Sequence, residues 1–231
     1  MTLSTRKRSA VRPNPAMPPR GDEFTPILDY IITEMANNAK SPAAMRIREN
    51  NLFSAPDCIE QYYSSLSGWE KFFAGSAMLD MCTNRVMTAP LAAITGWAML
   101  VHEGGDWDHK PYIRAHFTPA VGPGDEQHWH HYQGYVYFYD IWSNIHYGYV
   151  GRACGFTRAA LLDGGGLEQI GSDLIHLRWP QGDSSVDGLR RFDDASDRAS
   201  VALGCDIWPG IPTREDLRDR ILAAPVRKKA L

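Results

Sequence analysis

No stretch of this sequence is long and apolar enough to span a bilayer. The longest apolar run, Val86 to Val101 (VMTAPLAAITGWAMLV), falls short of the roughly 20 residues that a spanning helix needs and contains Pro90 and Gly96. Its composition predicts a buried core helix broken near Pro90. Cysteine is sparse: Cys58, Cys82, Cys154 and Cys205 form no CxxC pair and no framework spacing, so the expected state is four buried thiols in a reducing cytoplasm. There is no excess of positive charge either. With 24 Lys and Arg against 27 Asp and Glu, the net charge is -3, which gives no overall attraction to nucleic acid, and no stable nucleic-acid complex is expected. GxSxG, Walker, GxGxxG and papain-like cysteine motifs are all missing, which removes support for serine hydrolase, nucleotide and flavin or other dinucleotide chemistry. The N-terminus carries Arg6, Lys7, Arg8, Arg12 and Arg20 with no apolar stretch behind them, so a chain made in the cytoplasm without a secretory signal is expected.

What is present is ordinary for a globular chain. Its 231 residues are 44% hydrophobic and 22% charged, enough for one domain with a sizeable core. Residues 1–21 are basic, proline-rich and free of aromatic residues, which predicts a flexible arm, and 22–231 is read as one compact domain. Ile27, Ile31, Ile32 and Met35 recur at helical spacing behind Asp22 and Thr25, and two or three further helices are predicted from Cys58 onward. Residues 102–134 show no sustained period and read as long loops rich in His, Trp and Gly, of the kind that carry function. Val136 to Leu162 is apolar nearly all round, which predicts a buried helix or a strand leading into one, stopped by the glycines after Asp163. A short strand is expected at Asp173 to Trp179, and a capped helix near Thr213. The fold class is therefore mainly α with a small β component.

Three constellations could carry chemistry. Within the buried element lie Tyr139, Asp140, Asn144, His146, Tyr147 and Arg152, more polar groups than a core helix absorbs without partners. On a helix, Asp140 and Asn144 share one face, and Tyr139 and His146 another. The loop GGDWDHK gathers Asp106, Asp108, His109 and Lys110, a set suited either to a hard cation and a phosphate or to a solvated turn. HWHHY supplies His128, His130 and His131, but their spacing is not that of a zinc site, and zinc is not expected. Asp193, Asp194 and Asp197 read as a solvated acidic face or a cap.

WSNIHYGYVGRACGF followed by LLDGGGLEQ, with GGDWDHKPYI upstream and LRWPQGDSSVDG downstream, resembles the polymorphic toxin type 44 domain over roughly Leu91 to Pro209. The resemblance implies a catalytic core at about 91–209 within an antibacterial effector. Such an effector would be secreted by a contact-dependent machine, commonly type VI, into the target-cell periplasm and neutralised in its producer by a cognate immunity protein. Tyr139, Asp140 and His146 are also similar to the Asp-x-Tyr-Asp-x5-His-Arg signature of colicin M-like bacteriocins, which hydrolyse the lipid II pyrophosphate with magnesium. Tyr137 stands where that signature has its first Asp, and Tyr147 where it has Arg. This second resemblance implies Asp140, His146 and Tyr139 as catalytic residues, Mg2+ as cofactor and a lipid-linked peptidoglycan precursor as substrate. Arg152 is read as supplying the missing guanidinium and Asp106 or Asp108 the missing carboxylate beside Mg2+ on Asp140, with Lys110, His109, Asn144 and Tyr147 on the substrate. A cytoplasmic nuclease toxin using His146 as base, a peptidoglycan hydrolase using Asp140 and a second carboxylate, and a non-enzymatic binding or pore-related module are the competing readings.

Overall fold

The computed structural model describes residues 21–73, 76–117, 128–162 and 195–231. The basic arm, the glycine stop after residue 162, the expected strand at 173–179 and Asp193 and Asp194 lie outside them. Helix α1 (Phe24–Ala39) starts where the Asp22 carboxylate accepts the backbone N–H groups of Phe24 and Thr25, and its inner face buries Phe24, Ile27, Leu28, Ile31 and Met35. Helix α2 (Pro42–Asn51) is capped by Ser41, whose hydroxyl oxygen accepts the Ala44 N–H at 3.1 Å. Helices α3 (Ala55–Ser65), α4 (Glu70–Phe73) and α5 (Ser76–Val101) follow.

Two expectations are corrected in this region. Helix α5 runs through Pro90 without a break, Val86 and Met87 are exposed, and it joins the main core through Ala93 and Trp97 of its later half. The Val86 carbonyl that loses its partner to the proline sits on that exposed side, where water can satisfy it. The cysteines are not four thiols. Cys58 of α3 and Cys82 of α5 form a disulfide with their Cα atoms 5.9 Å apart, leaving Cys154 and Cys205 as buried thiols. Helix α3 buries none of its own residues, so this bond is a principal tether to α5.

The stretch expected to be loop contains helix α6 (Lys110–His116) and strand β1 (Trp129–Tyr132). Gln133 and Gly134, both with positive φ, turn β1 back into β2 (Tyr135–Phe138), and β3 (Lys228–Ala230) pairs antiparallel on the far side, giving the order β1-β2-β3. The apolar stretch beginning at Val136 is thus strand first and helix second, the less favoured of the two sequence expectations. It breaks at Tyr139, whose N–H bonds to the His128 carbonyl oxygen, and continues as α7 (Asp140–Ala153). Short α8 (Arg158–Leu162), α9 (Ala195–Ile207) and α10 (Arg214–Ala223), capped by Thr213 as expected, complete the chain.

Helix α7 is the axis of the fold, packed between α1 and α9. Its crossing with α9 is a backbone contact. A methyl group at Gly148 would fall on the Val201 carbonyl oxygen, and one at Gly204 on the Ile145 carbonyl oxygen. Two glycines facing each other's helix therefore set how closely the start of α9 approaches the start of α7.

Candidate functional site

Asp140 opens α7, where the free N–H groups of a first turn favour a carboxylate. Yet it is only 7% exposed, its Oδ1 has no hydrogen-bond partner, and its pKa is pushed up to about 6. Burial is the main cause and the neighbouring Asp197 the second, against the opposing pull of Lys110 and Arg227. Asn144, one turn on, donates from Nδ2 to Asp197 Oδ1 at 3.2 Å, so Asp140 and Asn144 share a face as the helical spacing predicted, and that face meets the first turn of α9. On the other side Arg227, just before β3, brings a guanidinium nitrogen to 3.8 Å from Asp140 Oδ2 while its plane lies 3.8 Å over the Phe138 ring. Trp129 and Phe138 are 5.0 Å apart, and Tyr139 sits 5.0 Å from His128 with the Arg114 guanidinium 5.7 Å over its ring. The result is a carboxyl group between a second carboxylate and two cations, edged by half-buried aromatic rings.

His146 is not part of that face. Six residues on from Asp140, it points some 240° around the helix and about 9 Å further along it. There its ring lies 4.1 Å from that of His109, edge to face, in a fully enclosed pair. Asn38 Nδ2 donates to His146 Nε2 at 3.0 Å, and the Tyr30 hydroxyl bonds to His109 Nδ1 at 2.8 Å. The remaining ring nitrogens, His109 Nε2 and His146 Nδ1, have no hydrogen-bond partner. Burial holds the His109 pKa down to about 4, and burial with His109 alongside drives that of His146 well below the usual value. Both are neutral near pH 7. The pair fixes α6 against α7, which is how Lys110, next in the chain after His109, comes near Asp140.

The other predicted residues are dispersed. Arg152 lies at the opposite end of α7 and donates to the Phe156 carbonyl oxygen at 2.7 Å, closing the helix C-terminus. The Tyr147 ring packs 5.0 Å from Trp97, and Tyr137 is buried in β2. Asp108 uses both carboxylate oxygens on backbone N–H groups, those of Gly104 and Lys110, and Asp106 is exposed. Asp106, Asp108 and Asp140 are thus not brought together, and among the described residues no three His, Cys, Asp or Glu side chains are placed to hold a metal ion. A magnesium ion held through one or two carboxylates would take Asp140, whose Oδ1 has no partner, with Asp197 as its neighbouring carboxylate. His130 donates from Nε2 to the Phe117 carbonyl oxygen at 2.8 Å, which anchors β1 to the end of α6.

Asp197, Arg227, Tyr30 and Asn38 were not singled out from sequence. Asp197 carried a faint signal as part of an acidic string. The others had none, because each reaches the centre from an element distant in the chain.

Residues 96–209 match the family model described as bacterial toxin 44. No curated protein and no solved structure matches the chain. The match takes in α6, the β1–β2 hairpin, α7 and the whole of α9, the elements that bear Lys110, Asp140, Asn144 and Asp197. Through residues 96–209 the chain belongs to the bacterial toxin 44 family.

Proposed function

We propose that this toxin is a hydrolase of peptidoglycan that cleaves its glycan strand, with Asp140 as general acid and Asp197 as the partner carboxylate. The observation that carries the reading is the pairing of Asp140, protonated up to about pH 6, with Asp197, which accepts a hydrogen bond from Asn144. Glycoside hydrolysis asks for two carboxyl groups with opposed environments: one that keeps its proton to give to the leaving oxygen, and one that stays charged beside the anomeric carbon. Burial supplies the first condition at Asp140, and Asp197, held by the Asn144 amide, is the carboxylate proposed for the second role. The half-buried rings of Trp129, Phe138 and Tyr139 edge the site with flat apolar faces of the kind on which sugars stack.

A second reading, hydrolysis of the pyrophosphate in a lipid-linked peptidoglycan precursor, is favoured by Lys110 and Arg227, whose charges flank Asp140 and could meet phosphoryl oxygens. In it, Asp140 and Asp197 would hold the Mg2+ that such chemistry uses. Both readings place the target in the periplasm, and both imply a cognate immunity protein and an export route such as type VI secretion.

Expression in Gram-negative cells with and without a periplasmic export signal, followed by incubation of purified protein with peptidoglycan sacculi and with lipid II, tests the proposal. Killing from the periplasm with new reducing ends on soluble muropeptides is expected, and Asp140→Asn and Asp197→Asn should each lower that release by at least about 10²-fold. Release of pyrophosphorylated disaccharide-peptide from lipid II would move the assignment to the second reading. Killing confined to the cytoplasm, with loss of DNA or RNA, would overturn both.

A further inference from the structure

We infer that the cleft between α2, α3 and α5 is a second binding site, taking a peptide that carries both a free ammonium and a carboxylate. The cleft encloses about 690 Å³ and is lined by Glu49 of α2, Phe53, Asp57 and Tyr62 around α3, and Arg85 of α5, a volume within the range of small-ligand sites. The Arg85 guanidinium lies 4.7 Å over the Phe53 ring, and Arg85 is exposed and in no ion pair with another described residue. Glu49 and Asp57 line the same space. None of Arg85, Glu49 and Asp57 forms an ion pair with another described residue, so charges of both signs face one concavity without neutralising each other. A ligand with separated charges of both signs completes that arrangement; a purely anionic or purely cationic one would leave one sign opposed.

The cleft is built independently of the Asp140 site. It comes from residues 48–85, ahead of the family match that starts at 96. The Cys58–Cys82 bond secures its α3 wall, and it joins the C-terminal end of α7 through Arg48, which donates to the Ala153 carbonyl oxygen, and Asn51, which donates to that of Cys154. That end lies roughly 20 Å along the helix from Asp140. The choice of peptide rests on the peptidoglycan reading above: stem peptides repeat along the glycan strand and carry amino and carboxylate groups, so a polymer engaged at Asp140 extends to a peptide-binding cleft.

Calorimetric titration of the full chain with a synthetic stem tetrapeptide bearing a free amine and a free carboxylate, and with its acetylated and amidated form, tests the inference. The free peptide should bind at least about tenfold more tightly than the blocked one, and Arg85→Glu and the Glu49→Gln/Asp57→Asn pair should each remove about tenfold, all at exposed positions that leave the fold intact. Asp140→Asn should bind the peptide as the unaltered chain does. Equal binding of free and blocked peptides, or binding indifferent to Arg85→Glu, would overturn the cleft assignment. Muropeptide release without peptide binding would leave the proposed function standing and remove only the cleft, whereas peptide binding without any release from sacculi would do the reverse.

Discussion

Asp140 is held in a state that costs the protein stability. Its folded pKa of about 6 stands above the ordinary 3.8, so between those values the folded chain binds more protons than the unfolded one, and stability falls as pH rises through that window and stays lower above it. Asparagine has nearly the same shape and cannot ionise. Asp140→Asn should therefore abolish activity while raising stability at pH 7 by up to about 3 kcal/mol, and the gain should vanish near pH 4, as urea midpoints at the two pH values would register. A loss of stability at pH 7 would mean that Asp140 is a structural anchor for Arg227. Asp140 and Asn144 were legible in the sequence, because an i, i+4 pair in a buried helix has one geometry. His146 was legible as a buried polar group but not as a core histidine, since the ring it faces comes from another segment.

At the level of elements, the crossing of α7 with α9 decides whether Asp197 can stand beside Asp140. Gly204 is the tighter test, because a methyl there meets the backbone of Ile145 and Tyr149, which cannot swing aside as a side chain can. Gly204→Ala should destabilise the fold by about 3 kcal/mol in chemical denaturation and depress activity further than that loss explains at permissive temperature. Gly151→Ala is the comparison: its methyl meets the flexible side chain of Leu161, so a smaller loss is expected. The partner of Gly148 lies some fifty residues further along the chain, so the spacing of glycines in α7 does not by itself reveal it. The break between β2 and α7 was equally hard to read. Tyr135 to Tyr149 is rich in aromatic and aliphatic residues from end to end, and only the pairing of β2 with β1 and β3 decides where strand ends and helix begins.

At the scale of the molecule, the site is assembled from more than the matched domain. Arg227 reaches Asp140 from beyond residue 209, and Tyr30 and Asn38 of α1 close the histidine pair from before residue 96. That pair also sets how the whole fold responds to acid. His109 and His146 have folded pKa values below the ordinary 6.5, so the unfolded chain binds more protons and stability falls as pH drops from 6.5 towards 4. Asp140 works the other way between 6 and 3.8, but it is one group against three, since burial lowers the His130 pKa as well. The melting temperature should fall on acidification from pH 7 to 4. A His109→Gln/His146→Gln variant, less stable at pH 7, should lose most of that slope in thermal scans monitored by circular dichroism, the remainder belonging to His130. A melting temperature that stays level in the unaltered chain would show that the pair is already charged.

Local chemistry explains what the sequence settled by itself. Capping at Asp22 and Thr213, helical periodicity in α1, the buried polar character of α7 and the family of residues 96–209 all depend on neighbours within a few turns or on short ordered motifs. Tertiary structure alone decided the rest: that Cys58 meets Cys82, that Arg152 closes a helix far from Asp140, that His146 turns inward to His109, and that Asp197 and Arg227 stand on either side of Asp140. The reason is physical. A pKa near 6 in a carboxyl group and a neutral pair of imidazoles are properties of burial and of charges a few ångströms away, and those neighbours are supplied by the packing of helices distant in sequence.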